Sequence, residues 1–149
     1  MSSILCIDDQ QASLTMRKAL LEAHGYSVLT VNNGALGLSV LSEKAVDAVI
    51  LDYKMEGMDG FAVATAIRKR HGKLPIVLLS GYSEIPKALL DIVDAFVPKG
   101  NKVELLLGAL RQVTATTQSA MGTNLPAKPR DFRKIDPEWA WSFGFSPNA

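Results

Sequence analysis

VDAVILDYKMEGMDGFAVATAIRKRHGKLPIVLLSG, residues 46–81, holds two nearly continuous apolar runs, 46–51 and 74–80, on either side of a helical pattern at 61–71. Strands buried on both faces of a parallel sheet read this way, whereas strands with one wet face alternate. The same texture extends outward. Residues 4–7 (Ile-Leu-Cys-Ile) form another continuous run, and 26–31 and 95–97 complete a set of five strand candidates. Helical patterns fall between and after them, at 11–24, Gly34–Glu43, a short one near 85–90, and 102–113. In the first of these, Leu14, Lys18 and Leu21, with Arg17, Leu20 and His24, give mixed polar and apolar stripes.

Five strand–helix units within residues 1–115 imply right-handed crossovers and helices on both sides of a parallel sheet. The expected architecture is α/β: a flavodoxin-like doubly wound sheet of strand order 2-1-3-4-5. Ligands of such sheets sit at the carboxyl ends of strands 1 and 3, where the winding reverses.

Composition narrows the function classes. Apolar residues make up 48% and charged residues 21%, and 16 basic against 15 acidic side chains leave a net charge of +1. That balance gives no electrostatic footprint for nucleic acid or an anionic membrane. The one cysteine, Cys6, leaves no disulfide framework and no multi-cysteine metal site, and reads as a small apolar strand residue. No apolar run approaches a membrane span, and the first residues carry no charged leader pattern, so a cytoplasmic location is expected. His24-Gly25 and His71-Gly72 read as helix ends closed by left-handed glycines.

The strand ends test the fold. Strand 1 ends in Asp8 and Asp9, strand 3 in Asp52, strand 4 in Ser80 and strand 5 in Lys99, so three carboxylates, a hydroxyl and an amine converge on one edge. Like charges at short range disfavour one another's ionised form. A hard divalent cation relieves that, and Mg²⁺ combines one or two carboxylates with phosphate oxygens and water. A neighbouring lysine and serine suit the stabilisation of phosphoryl oxygens. The alternative for Asp8 and Asp9 is capping of the helix that follows.

The stretches Ile7-Asp8-Asp9, Leu51 to Gly60, Leu79-Ser80-Gly81 and Phe96-Val97-Pro98-Lys99 resemble, in order and spacing, the response-regulator receiver family of two-component signalling, over residues 3–115. The resemblance implies that Asp52 accepts a phosphoryl group and that Mg²⁺ is the cofactor. Asp9, Asp52 and the backbone carbonyl of Lys54 would then ligate the metal directly, with Asp8 acting mainly through metal-bound water. Lys99 would pair with the phosphoryl group, Ser80 would be the switch hydroxyl and Phe96 the switch aromatic. It further implies a sensor histidine kinase or phosphotransfer protein as donor and a downstream protein target as readout. The chain is thus expected to be a signal transducer with phosphoryl transfer and autodephosphorylation as its only chemistry, not an enzyme.

Three departures from the family pattern stand out. Gly100 follows Lys99 where many relatives carry proline, and Glu56 stands where proline is frequent. The span from Ser80 to Phe96 is shorter than usual by roughly one helical turn. The fourth helix is therefore expected to be short, with Pro86 in its first turn, so a homodimer through that face stays open and is not assumed. A phosphorylation-independent adaptor and a haloacid dehalogenase-type phosphatase are the rival readings. The second needs an acid two residues after its nucleophile, where Lys54 stands here. From Thr114 the chain turns polar and small, and 116–149 reads as a linker and an aromatic tail carrying Trp139 and Trp141. Docking of that tail on a protein surface is a further expectation, as is screening of the hydrolytic water by Tyr82.

Overall fold

A computed structural model describes residues 2–81, 85–100 and 103–118, with side chains as far as Thr114. Tyr82 and the aromatic tail therefore lie outside the described residues. The chain alternates strand and helix throughout: β1 Ser3–Ile7, α1 Gln11–Ala23, β2 Ser27–Val31, α2 Gly34–Glu43, β3 Ala48–Asp52, α3 Gly60–Arg70, β4 Ile76–Ser80, α4 Lys87–Ile92, β5 Ala95–Pro98 and α5 Val103–Gln118. The five strands are parallel in the order β2-β1-β3-β4-β5, as the sequence predicts.

Alternation along the strands sorts the core into two layers. Ile4 and Cys6 of β1, Ile50 of β3, Leu79 of β4 and Val97 of β5 pack with Leu14 and Leu21 of α1 and with Leu106 to Val113 of α5. Leu5, Ile7, Val49, Leu51, Leu78 and Phe96 face the other way, against Leu41, Val63, Ala64, Ile67 and Leu89 from α2, α3 and α4. Both central strands, β3 and β4, are buried along their full length, which is why their apolar runs are continuous. Edge strand β2 is only partly covered.

Helix starts follow local chemistry. Asn33 and Asp59 cap α2 and α3, their side-chain oxygens accepting from the amides of Leu36 and Ala62 at 2.8 and 3.0 Å. β4 begins at Ile76, one residue beyond Pro75, which has no amide to give a ladder. Pro86 is the residue before α4, not part of its first turn, and the helix has only six residues, two later than expected.

Two further expectations need correction. Gly25 is left-handed at φ 91°, but Gly72 is not, so the His71 end closes without an αL glycine. His24 meets the carbonyl of Leu20 at 2.9 Å, an ordinary helix-end contact. Helix α5 continues through the polar Thr114 to Gln118, past the boundary expected at 115. Thr114 is compatible with helix because its hydroxyl donates to the carbonyl of Leu110 at 2.7 Å.

Candidate functional site

The register puts the predicted residues on one edge. Ile7 pairs with Leu51, Asp52 with Leu79 and Ser80 with Pro98, so Asp8, Asp52, Ser80 and Lys99 lie at neighbouring strand ends. The amide of Lys99 donates to the carbonyl of Ser80 at 2.8 Å, tying the two final positions together. Gly100 next in line is left-handed, at φ 82°, a turn conformation that costs glycine little. Gly60 opens α3 against the loop after Asp52. A Cβ there would sit 2.7 Å from the carbonyl oxygen of Asp52 and from Cα of Tyr53, so only glycine allows this close approach.

Asp8, Asp9 and Asp52 each offer a carboxylate oxygen, and these atoms all lie within 4.8 Å of one another. Asp8 is fully buried and Asp52 nearly so, whereas Asp9 is exposed. The Lys99 ammonium bridges the two buried acids, 2.9 Å from Oδ1 of Asp52 and 3.2 Å from Oδ2 of Asp8. Burial pushes the Asp52 carboxyl up from its ordinary range. The hydrogen bond from Lys99 opposes that shift, and the neighbouring charges of Asp8 and Asp9 add to it. Asp9 accepts from the amide of Glu56 at 3.2 Å, which fixes the loop after β3 against the loop after β1.

Capping accounts for little of the Asp8-Asp9 pair. Gln10 is the N-cap of α1 and makes no side-chain cap bond. Asp8 does accept from the Gln10 amide at 3.0 Å through Oδ1, leaving Oδ2 to the cations. The Lys54 side chain is exposed, with its ammonium 5.5 Å from the Tyr53 ring centre. Ser80 and Phe96 are buried, and Phe96 belongs to the layer facing α2, α3 and α4. Asp52, by contrast, continues the Ala48 and Ile50 side of β3, which faces α1 and α5.

One residue was missed in the sequence. Arg17 reaches Oδ2 of Asp8 from α1, at 3.4 and 3.5 Å through its two terminal nitrogens. The available signal was its spacing: three residues after Leu14 and four before Leu21, it interrupts the buried stripe of the helix with a charge.

Comparison with known proteins agrees with this geometry. Residues 4–111 match the response regulator receiver domain family. The chain is 37% identical over 124 residues to the transcriptional regulatory protein GlrR of Escherichia coli strain K12, covering 81% of this chain and 28% of that protein. It is 29% identical over 127 residues to the response regulator MprA of Mycobacterium sp. strain KMS, covering 83% and 55%. It therefore spans between a quarter and about half the length of these relatives. Among solved structures, the response regulator TrrA of Thermotoga maritima, in complex with Mg²⁺-BeF, matches at 31% identity with a TM-score of 0.73, over 76% of this chain and 99% of that one. A receiver domain from Clostridium thermocellum matches at 27% identity with a TM-score of 0.76, over 81% and 100%. No helix among the described residues is long and apolar enough to cross a membrane. With its fold, its strand-end carboxylates and these matches in agreement, the chain belongs to the response regulator receiver domain family of two-component signalling.

Proposed function

We propose that Asp52 accepts a phosphoryl group from the phosphohistidine of a sensor histidine kinase or phosphotransfer protein, and that the domain then presents an altered surface to a downstream protein. The observation that carries this reading is the Asp52 carboxylate itself. It is almost buried at the carboxyl edge of the sheet, 2.9 Å from the Lys99 ammonium and within 4.8 Å of two more carboxylates.

Three clustered carboxylates are hard oxygen donors with more negative charge than Lys99 offsets, and that donor set fits Mg²⁺. Asp9, Asp52 and the Lys54 carbonyl would hold the ion directly, with Asp8 holding it through water. When bound, it supplies neutralisation of charge on the phosphoryl oxygens. Asp52 uses one oxygen to attack phosphorus as the bond to the histidine nitrogen breaks. The electron pair leaves with that nitrogen, and an acyl phosphate forms on Asp52. Lys99 follows the charge from the carboxylate to the phosphoryl oxygens. Ser80 donates its hydroxyl to one of them, and movement of Ser80 alters the packing of Phe96 in the layer under α3 and α4. The product adds about 1.5–2 negative charges at neutral pH, enough to bias a two-state surface.

The partners on this reading are proteins, not nucleic acid or a membrane surface, in keeping with the net charge of +1, and the location is cytoplasmic. The chemistry is confined to phosphoryl transfer and autodephosphorylation. The test is incubation with acetyl phosphate and Mg²⁺, read by intact mass. Wild type gains one phosphoryl group, and Asp52→Asn or wild type in EDTA gains none. Equal phosphorylation of Asp52→Asn overturns the assignment.

A further inference from the structure

Arg17 is a cation that the phosphoryl chemistry above does not use. Its side chain is 11% exposed, and its guanidinium meets Oδ2 of a carboxylate with no exposure at all. The same oxygen takes the Lys99 ammonium at 3.2 Å. At 3.4 to 3.5 Å the arginine contacts are at the long end of hydrogen bonding, so their main content is charge.

Lys99 is shared between Asp8 and Asp52, and Arg17 contacts only Asp8 of the two. If Lys99 moves to a phosphoryl group, Arg17 is the cation that stays on the buried Asp8 carboxylate among the described residues. Removing one partner of a buried pair is strongly destabilising, because it leaves the other charge uncompensated. Arg17 also alters the sum of charges. Counting these two cations alone, three carboxylates against Lys99 leave a surplus of two negative charges, and Arg17 reduces it to one.

We propose that Arg17 is a positioning residue, the standing counter-ion of Asp8, which holds that carboxylate in place while lowering the attraction of the cluster for Mg²⁺. The inference rests on the Mg²⁺ reading of the carboxylates. It trades metal affinity for stability of the metal-free domain and frees Lys99 to leave Asp8. A neutral replacement of similar length is sterically mild, because the Arg17 side chain lines an open cavity of about 560 Å³ together with Met16, Leu20 and Val103.

The experiment is calorimetric titration of Mg²⁺ into wild type, Arg17→Met, Arg17→Gln and Arg17→Lys at low ionic strength, with melting temperatures taken without metal. Lys69→Met, at the far end of α3, controls for net charge. Removing the nearby positive charge is expected to tighten Mg²⁺ binding about three- to tenfold in both neutral variants, with a lower melting temperature in the absence of metal. Arg17→Lys and Lys69→Met should bind as wild type does. Affinity unchanged in both neutral variants, with only the melting temperature lowered, overturns the proposal and leaves Arg17 a structural pair. Weaker binding in the neutral variants overturns it by sign. Absence of Mg²⁺ binding by wild type removes the metal reading and this inference together, which separates that failure from the other two.

Discussion

Two ion clusters lie at opposite edges of the same sheet, and they are built on different principles. At the amino ends of β4 and β5, Arg68 donates to the carbonyls of Ile92 at 2.8 Å, Leu74 at 2.6 Å and Gly72 at 3.3 Å, and to the carboxylate of Asp94. Asp94 in turn accepts from the amide of Ile76 at 2.8 Å. Arg68 and Asp94 meet as an ion pair, and both also hydrogen-bond to backbone groups. At the carboxyl ends, three carboxylates meet two cations, Lys99 and Arg17, among the described residues. A charged cluster does not mark a functional site by being charged. What distinguishes the carboxyl edge is an excess of carboxylates over Lys99 and Arg17 among the described residues, with Asp8 and Asp52 held where burial makes charge expensive.

The largest expected effect comes from Lys99→Ala. It should retain Mg²⁺ binding but slow phosphorylation by acetyl phosphate about a hundredfold, because one preorganised cation for the developing charge is lost. Rate measurements under saturating Mg²⁺ check this, and a rate within threefold of wild type would remove Lys99 from the chemistry. Arg68→Ala should do the opposite. Loss of Arg68 removes the cation from Asp94 and the side-chain donor from the carbonyls of Ile92 and Leu74, at a cost of about 2–4 kcal/mol in urea denaturation. Mg²⁺ affinity should stay unchanged in the folded protein. If Arg68→Ala altered metal affinity as much as stability, the two edges would not be independent.

Much of the carboxyl edge was legible in the sequence, whereas the Arg68–Asp94 cluster was not. The strand order was expected from five strand–helix units, three of whose strands are near-continuous apolar runs, and the convergence of Asp8, Asp9, Asp52 and Lys99 followed from where the strands stop. The α4 helix was foreseen as short from the reduced span between Ser80 and Phe96, though not its start after Pro86. Arg17 was not legible as a site residue, because its partner lies in another element and a charged residue in a mixed helix stripe has many explanations. Thr114 was misread as the start of a linker. Propensity counts it as polar, and only the hydrogen bond to Leu110 shows how it fits a buried helix face.

A smaller effect concerns the core between the two edges. Burial pushes the Cys6 thiol up to about 12 from 9.0. The unfolded thiol ionises first, so the contribution is intact below pH 9 and is lost as pH rises from 9 toward 12. The slope is at most about 1.4 kcal/mol per pH unit. Urea denaturation of wild type and Cys6→Ala at pH 8 and 10 checks this, since the advantage of wild type should shrink at the higher pH. An unchanged difference would mean that the thiol is accessible in the folded state.

The comparison of the two edges is tested most directly by an NMR titration of the metal-free domain with Mg²⁺, followed residue by residue. The amides of Gln10 and Glu56, which donate to Asp8 and Asp9, should shift strongly and saturate together. The amide of Ile76, which donates to Asp94, should not move. Comparable shifts at Ile76, or none at Gln10 and Glu56, would contradict the claim that surplus carboxylate charge at the carboxyl edge makes the metal and phosphoryl site.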